Sequence, residues 1–276
     1  MLDGPVPADQ SEVMDSRPTQ PSPDRDQPLS GGDGADGGRD LPLMARRMLR
    51  RADRAALATL QGDNPRPYVS LVGIATDTDG APLLLLSRLA EHTRALMASP
   101  LASLLIDGTA GFVNPQEGPR LSLQGRILPI DCDHALRRFL ARHPGAALYA
   151  GFADFSVHRM TVERIHWVGG FGRARWFAPV PALEGEARDL WEKAEPGIIA
   201  AVNDERDGIR AALAARNGGG RGKLWPLVAV APDGCDLARA GRPGGGGKSG
   251  VVRVAFPVPL SDPDKVIPTL GELAGL

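Results

Sequence analysis

A short segment of the chain brings together side chains suited to binding an anion. In LLLLSRLAEHTRALMASP, an apolar run ends at Ser87 and is followed by His92, Thr93 and Arg94. The spacing of apolar residues predicts a short amphipathic helix over Leu89 to Ala98. Helix N-termini present free backbone N–H groups and a positive dipole end, and a guanidinium adds charge-assisted hydrogen bonds. The pattern therefore favours a site for a phosphate-sized anion.

The same residues also permit a purely structural interpretation. Ser87 is a typical helix cap, Glu91 is a typical first-turn acid, and Arg94 fits an exposed helix face. Capping patterns of this kind are common, so the residues alone leave both interpretations open.

Strands are needed on both sides of this helix to hold it in place. Residues 68–76 are β-branched and apolar, and Asp-Thr-Asp-Gly at 77–80 has the chemistry of a tight turn. The run at 83–86 predicts a strand covered on both faces, and 101–106 predicts the next strand. The segment is thus expected to form a hairpin, a short helix and a further strand.

Further elements extend this pattern in both directions along the chain. A helix is predicted at 41–53, and Arg46, Arg50 and Arg54 share one of its faces. This face is expected to be exposed to solvent, and the alternative is a basic lip near an anion. Strands are predicted at 55–61 and 119–130. A helix that starts at Asp131-Cys132-Asp133, with Asp133 as its cap, and runs to about Arg142 is followed by a long strand over 155–168, which carries His158 and His166. An isolated strand histidine is more often a structural residue than a ligand.

Three motifs in the same order carry a family resemblance. They are LLLLSRLAEHTRALMASPLASLLID, GPRLSLQGRI and VGGFGRARWF. Together they resemble the FMN-binding split-barrel superfamily of pyridoxamine 5'-phosphate oxidase, and in particular its HugZ-like haem-utilisation branch, over residues 43–177. The resemblance implies an α+β fold class: a split β-barrel with peripheral helices, followed by a small α+β domain. The expected division is a disordered tail at 1–40, the barrel at 41–178 and the second domain at 182–276.

The resemblance also implies ligands and positions. FMN would lie at the interface of a homodimer, and haem is the alternative ligand. The positions implied for the cofactor are Ser70, Ser87, His92, Thr93, Arg94 and Arg120, and Arg173 would pair with a haem propionate. Glu91 and His92 stand where the oxidases carry an Arg-Lys pair.

Three functions are compatible with these features. The first is an FMN-dependent oxidoreductase acting on a small molecule, in which the cofactor carries the chemistry. The second is a haem-binding protein linked to haem degradation, and the third is a cofactor-free scaffold that binds other proteins. The helical stretch at 201–206 lacks both histidines of the motif found in HugZ-like C-terminal domains. A haem ligand is therefore expected in the barrel, or haem is bound weakly.

Net charge, cysteine spacing and the length of apolar runs exclude several classes of protein. The net charge is -1, and residues 1–40 hold nine acidic residues against three arginines, so the remainder carries about +5. This is too weak for a nucleic-acid groove. Cys132 and Cys235 have no metal-ligand spacing, which predicts no zinc site and a reducing cytoplasm. No apolar run approaches the length of a membrane span.

The remaining stretches are expected to be structural. A largely helical region over 183–215 is predicted to break at Pro196-Gly197, and strands at 223–231, 235–239 and 251–256 precede a closing helix. The GRPGGGGKSG segment has Arg242 where a phosphate-binding P-loop needs glycine, and a strand follows it instead of a helix. It is predicted to be a hairpin loop.

Overall fold

The computed structural model describes residues 40–62, 66–170, 172–179, 183–219, 225–239 and 250–275. The predicted tail, apart from Asp40, and nearly all of the GRPGGGGKSG loop lie outside these residues. The helices are α1 Leu41–Arg51, α2 Glu91–Ala98, α3 Asp133–Arg142, α4 Gly185–Glu205, α5 Asp207–Arg216 and α6 Val266–Ala274. The strands are β1 Arg54–Gln61, β2 Arg66–Gly73, β3 Ala75–Thr76, β4 Pro82–Ser87, β5 Leu101–Asp107, β6 Arg120–Pro129, β7 Phe155–Val168, β8 Ala174–Phe177, β9 Leu227–Ala231, β10 Gly234–Arg239 and β11 Gly250–Ala255.

The first sheet is a curled antiparallel half-barrel. Its strand order is β2-β1-β5-β6-β7-β4-β3, and β8 pairs with the end of β7. Period-2 alternation places one face of β5 inside, where Ala102, Leu104 and Ile106 are buried, whereas β4 is buried on both faces. These residues join one apolar core with Leu57, Leu121 and other buried side chains. The predicted α+β fold class is confirmed.

A bulge in β6 depends on glycine. The register between β6 and β7 shifts at Gln124/Gly125. A Cβ atom on Gly125 would lie 2.0 Å from the carbonyl oxygen of Thr161, closer than any side chain can approach. Only glycine therefore lets the two strands remain paired through the bulge.

Two predicted elements differ in detail from those observed. The strand predicted at 68–76 is interrupted at Ile74, and only β3 forms the hairpin with β4, pairing Ala75 with Leu83. The helix predicted from Leu89 begins at Glu91. The sequence pattern predicted that Leu89, Leu96 and Met97 form the apolar face of this helix. Only Leu96 of the three is buried, and Leu89 and Met97 are exposed, so this prediction was wrong.

Helix α1 carries a buried cation that the sequence did not indicate. Asp40 caps the helix by accepting a hydrogen bond from the backbone N–H of Leu43 at 3.0 Å. Arg50 was expected on an exposed basic face, yet only 2 % of its surface is accessible. Its guanidinium reaches the turn after β3, where the carbonyls of Asp77 and Thr78 accept its N–H groups at 2.5 and 2.8 Å. This expectation was wrong because tertiary contacts supply acceptors that the sequence pattern cannot show.

The second sheet, β11-β10-β9, has its own apolar core. Helix α4 passes through Pro196 without a break and ends at Glu205, with Arg206 as its C-cap. Proline inside a helix costs about 3 kcal/mol. Trp191 and Val202, both fully buried in this core, hold the helix on either side of the proline. The predicted break at Pro196-Gly197 is therefore wrong.

The division into a barrel at 41–178 and a second domain at 182–276 stays a prediction. The two sheets have separate apolar cores, and part of the segment between them lies outside the described residues. Among the described residues, no helix is both long and apolar enough to cross a membrane.

Candidate functional site

The segment before α2 is held by Ser87 in a way the capping hypothesis did not anticipate. Ser87 Oγ lies 2.5 Å from Asp154 Oδ2 and accepts the backbone N–H of Leu89 at 3.1 Å. The helix itself is capped by Ala90, which offers no side-chain acceptor. Ser87 thus fixes the turn that leads into α2, and its hydroxyl is already committed to a carboxylate and a backbone amide.

Two histidines and a serine meet beside α2, and we call Ser70, His92 and His158 the histidine pair site. Ser70 Oγ lies 3.1 Å from His92 Nδ1. His158 Nδ1 lies 3.1 Å from the carbonyl oxygen of Ser156. A carbonyl only accepts, so Nδ1 of His158 carries the proton and its Nε2 keeps a lone pair.

Both imidazoles are biased toward the neutral form. Burial lowers the pKa of His92 below its usual value. Burial also lowers the pKa of His158, with a further contribution from the charge that His92 would carry, while the bond to Ser156 opposes the shift. Neutral imidazoles whose ring orientation is fixed by a partner are the form that ligates metals. The sequence pattern singled out His92 but treated His158 as structural, because the two histidines are 66 positions apart and lie on different elements, α2 and β7.

The remaining predicted residues of α2 do not converge on an open anion site. Thr93 is buried, and its hydroxyl has no hydrogen-bond partner in the described part of the chain. Arg94 is exposed and forms an ion pair with Glu91 at 2.5 Å. The Glu91 carboxylate therefore lies at the helix N-terminus and pairs with the Arg94 guanidinium, where an anionic ligand would otherwise bind. Within one chain, this set fits the phosphate of FMN poorly.

Arg120 and Arg173 lie at the other end of the barrel. Arg120 starts β6 opposite Asp107, and the seven residues of β5 separate it from the α2–β5 connection by roughly 20 Å. Its Nη1 donates to the carbonyls of Pro115 and Gly118 at 3.0 and 3.2 Å. Arg173 donates to the carbonyl of Gly169 at 2.6 Å and is exposed. Both arginines thus donate to backbone carbonyls of the loops beside them. The pairing of Arg173 with a haem propionate stays a prediction.

An open groove near that end of the barrel has the size of a cofactor site. Its volume is about 960 Å³, within the upper range of ligand pockets. Ala56, Leu71 and Leu105 contribute an apolar wall, and Arg47 and Arg51 of α1 line it as well. Neither arginine side chain has an ion-pair partner among the described residues. We call this feature the arginine groove.

The barrel interior offers a second, smaller cavity. It has a volume of about 190 Å³ and is lined mainly by apolar side chains such as Leu121, Met160 and Phe177. Pockets for drug-sized ligands are typically about 300–1,000 Å³. FMN or haem would not fit inside this cavity.

Buried ion pairs connect the barrel to the second sheet. Arg50 Nη2 lies 3.1 Å from Asp233 Oδ1, and Arg253 Nη2 lies 2.9 Å from the same oxygen. Burial acts to raise the pKa of Asp233, but the two guanidinium groups outweigh it and hold that pKa well below its usual range. Sequence reasoning missed this network, because Arg50 is 183 residues away from Asp233 along the chain.

Comparison with known proteins gives relatives with haem-related names. A chloroplastic heme oxygenase, HOZ, of Arabidopsis thaliana is 39% identical over 111 residues, which cover 39% of this chain and 33% of that protein. The match thus spans about a third of that relative's length. A protein of unknown function from Agrobacterium tumefaciens, Atu2129, has 24% identity and a TM-score of 0.69, over 87% of this chain and 97% of its own. A heme binding protein from Mycobacterium smegmatis has 26% identity and a TM-score of 0.48, over 86% and 97%.

The family model described as CREG, beta-barrel matches residues 38–182, more than half of the chain. This range contains the half-barrel sheet and the histidine pair site. The chain therefore belongs to the CREG beta-barrel family, and its barrel has the split-barrel fold of the pyridoxamine 5'-phosphate oxidase-like proteins, as the sequence motifs predicted.

Proposed function

We propose that this protein binds haem on its barrel, with His92 as the ligand to the iron. The observation that carries the proposal is the pair of neutral imidazoles, His92 and His158, each held at Nδ1. Histidine is the commonest proximal ligand of haem iron. The heme oxygenase of A. thaliana that matches 111 residues supports the choice of haem over other ligands.

The chain's own residues have distinct roles in this proposal. Ser70 fixes the ring of His92 through Nδ1, which leaves Nε2 for the iron, as outer partners of metal-ligating histidines do. His158 presents a second Nε2 lone pair close to the first histidine. Bound haem would supply the redox chemistry, and the protein would set access and polarity around the iron. A small-molecule substrate is therefore the haem itself or a molecule that reacts at its iron.

The test is a haem titration of the full chain, followed by the Soret band. The wild-type protein should take up haem stoichiometrically with the spectrum of an imidazole complex. His92→Ala should weaken binding at least tenfold, because the iron loses its protein ligand. His166→Ala is the matched control, since His166 stacks on Trp176 with ring centroids 4.5 Å apart and lies outside the pair. Equal loss in both variants would contradict the assignment of His92.

FMN is the second candidate ligand, and the arginine groove is the observation that favours it. Arg47 and Arg51 offer two guanidinium groups to a phosphate, beside an apolar wall suited to a flat ring system. An FMN-dependent oxidoreductase would then use the groove. FMN and riboflavin titrations separate the ligands: FMN should bind more tightly than riboflavin, and Arg47→Ala should remove that preference. Equal affinity for the two flavins would exclude this phosphate site.

We also propose that the protein is a homodimer. The outer face of β1, β2 and β5 is apolar, with Val69 62 % and Leu71 71 % exposed and Leu105 beside them. Contiguous exposed apolar residues of this kind mark interaction surfaces, and twofold dimers are the commonest oligomers. We also propose a reducing, cytoplasmic setting, since Cys132 and Cys235 are both free thiols.

A further inference from the structure

Three potential metal ligands meet where α3, α4 and the turn after β3 come together. Asp77, His134 and Glu192 each place one ligand atom within 4.8 Å of the others. His134 Nδ1 lies 3.7 Å from Asp77 Oδ1 and 4.0 Å from Glu192 Oε1. We call these three residues the Asp77 cluster. The spacing is slightly wider than the separation of neighbouring ligands around a bound ion, so only small side-chain movements are needed.

An unsatisfied atom points into the cluster. His134 is 91 % buried (9 % of its surface is accessible), and its Nδ1 has no hydrogen-bond partner in the described part of the chain. A buried polar atom without a partner is costly, which calls for a specific explanation. A cation coordinated by Nδ1 provides one.

The other ring nitrogen of His134 already has the partner that metal-ligating histidines use. His134 Nε2 lies 2.6 Å from Glu195 Oε2. Glu195 in turn is held by the guanidinium of Arg138 and accepts the backbone N–H of Val230 at 2.7 Å. Burial acts to raise the pKa of Glu195, but Arg138 and the bond to His134 outweigh it, so the carboxylate stays charged. With Nε2 as donor to Glu195, Nδ1 carries a lone pair directed at the cluster.

Arg188 currently neutralises the same carboxylates. Its Nε lies 2.6 Å from Glu192 Oε1, and its Nη2 lies 2.9 Å from Asp77 Oδ2. Arg159 also pairs with Asp77 and with Asp79. The Arg188 side chain is 30% exposed and can turn outward into water, whereas Asp77 cannot. A divalent cation would therefore replace Arg188 beside Asp77 and Glu192. Asp79 and Arg159 would lie next to the ion, and Glu195 with Arg138 would lie behind the His134 ring.

We propose that the Asp77 cluster is a binding site for a divalent first-row transition metal ion, with Arg188 as the group that the ion displaces. One imidazole nitrogen and two carboxylate oxygens form a mixed donor set that suits Zn²⁺, Mn²⁺ or Fe²⁺. The ligands come from the barrel and from α4, so the ion would tie the two sheets together. No metal-ligand spacing is visible in the sequence, because His134 follows Asp77 by 57 positions and Glu192 follows His134 by 58.

Zinc titration of metal-free full-length protein tests the site. Calorimetry should show one Zn²⁺ per chain, and the melting temperature should rise with zinc concentration. Glu192→Gln should weaken zinc at least tenfold, whereas Arg188→Gln should strengthen it at least tenfold, because the competing cation is gone. Glu186→Gln, on the exposed first turn of α4, is the matched control and should leave zinc binding unchanged.

The expected changes in zinc affinity, weaker for Glu192→Gln and tighter for Arg188→Gln, distinguish a metal site from structural damage. A variant that only destabilises the fold lowers zinc affinity, so tighter binding by Arg188→Gln cannot arise from misfolding. Unchanged or weaker zinc binding by Arg188→Gln would overturn the proposal, as would wild-type binding no tighter than that of Glu192→Gln. The haem proposal is tested separately, since none of these residues belongs to the histidine pair site.

Discussion

Replacing Asp233 with asparagine tests whether the buried ion network holds the two sheets together. Asp233 is 6 % accessible and accepts from Arg50 and Arg253, which are 2 % and 7 % accessible. The isosteric amide keeps the shape but leaves two buried guanidinium groups without their shared carboxylate. Removing one partner of a buried ion pair typically costs about 3–5 kcal/mol.

The structure places the expected loss at the lower end of that range. Arg253 keeps a second carboxylate, Asp236, at 3.4 Å, and Arg50 keeps the hydroxyl of Thr76 at 3.0 Å and two backbone carbonyls. We therefore expect Asp233→Asn to lower the free energy of unfolding by about 3 kcal/mol.

Urea unfolding at pH 7 measures this loss against a surface control. Asp53 pairs with Arg54 at 3.0 Å, but both side chains are more than half exposed, so Asp53→Asn should cost at most about 1 kcal/mol. The slope of the unfolding free energy against urea must be unchanged for the comparison to hold. A loss below about 1 kcal/mol for Asp233→Asn, equal to the control, would refute the argument that these charges stabilise the contact between the sheets.

Three further outcomes follow from the structure. The free energy of unfolding should fall as the pH drops below about 6.5. Burial lowers the pKa of His92, His143, His158 and His166 in the folded state, so the unfolded chain binds more protons than the folded chain in this pH range. Urea midpoints at pH 7.5 and pH 5.5 check this. Gly125→Ala should cost about 1–3 kcal/mol or more in urea unfolding, because its Cβ would strike the Thr161 carbonyl, whereas Gly145→Ala meets no atom within 4 Å and should change little. Leu71→Glu should convert the proposed dimer to a monomer in sedimentation experiments, since it puts a charge on the exposed apolar face; an unchanged dimer would place the interface elsewhere.

Local patterns were sufficient to predict most of the half-barrel. Strand β7 was expected at 155–168, with mixed faces, and is observed at those residues. Helix α4 shows where local rules fail: Pro196 predicts a break, yet burial of Trp191 and Val202 outweighs the cost. Tertiary packing, which one sequence does not display, decides such positions.

The candidate sites were predictable only in part. His92 and Ser70 came from motif resemblance and lie 3.1 Å apart, although the roles assigned to them stay predictions. His158, Asp77 and His134 were not predicted as partners, because strand order and the contact between α3 and α4 bring them together across long stretches of chain. Arg50 was expected in water for the same reason. Residue spacing in the sequence reveals a site when its residues share one helix or turn. The residues of these sites lie on separate elements.

The most direct measurement of the central claim is resonance Raman spectroscopy of the haem-loaded, reduced protein. An iron–imidazole stretching band should be present in the wild type and in the His166→Ala control. His92→Ala should lose that band while its far-UV circular dichroism stays that of the folded protein. An iron–imidazole band that persists unchanged in His92→Ala would contradict ligation by His92.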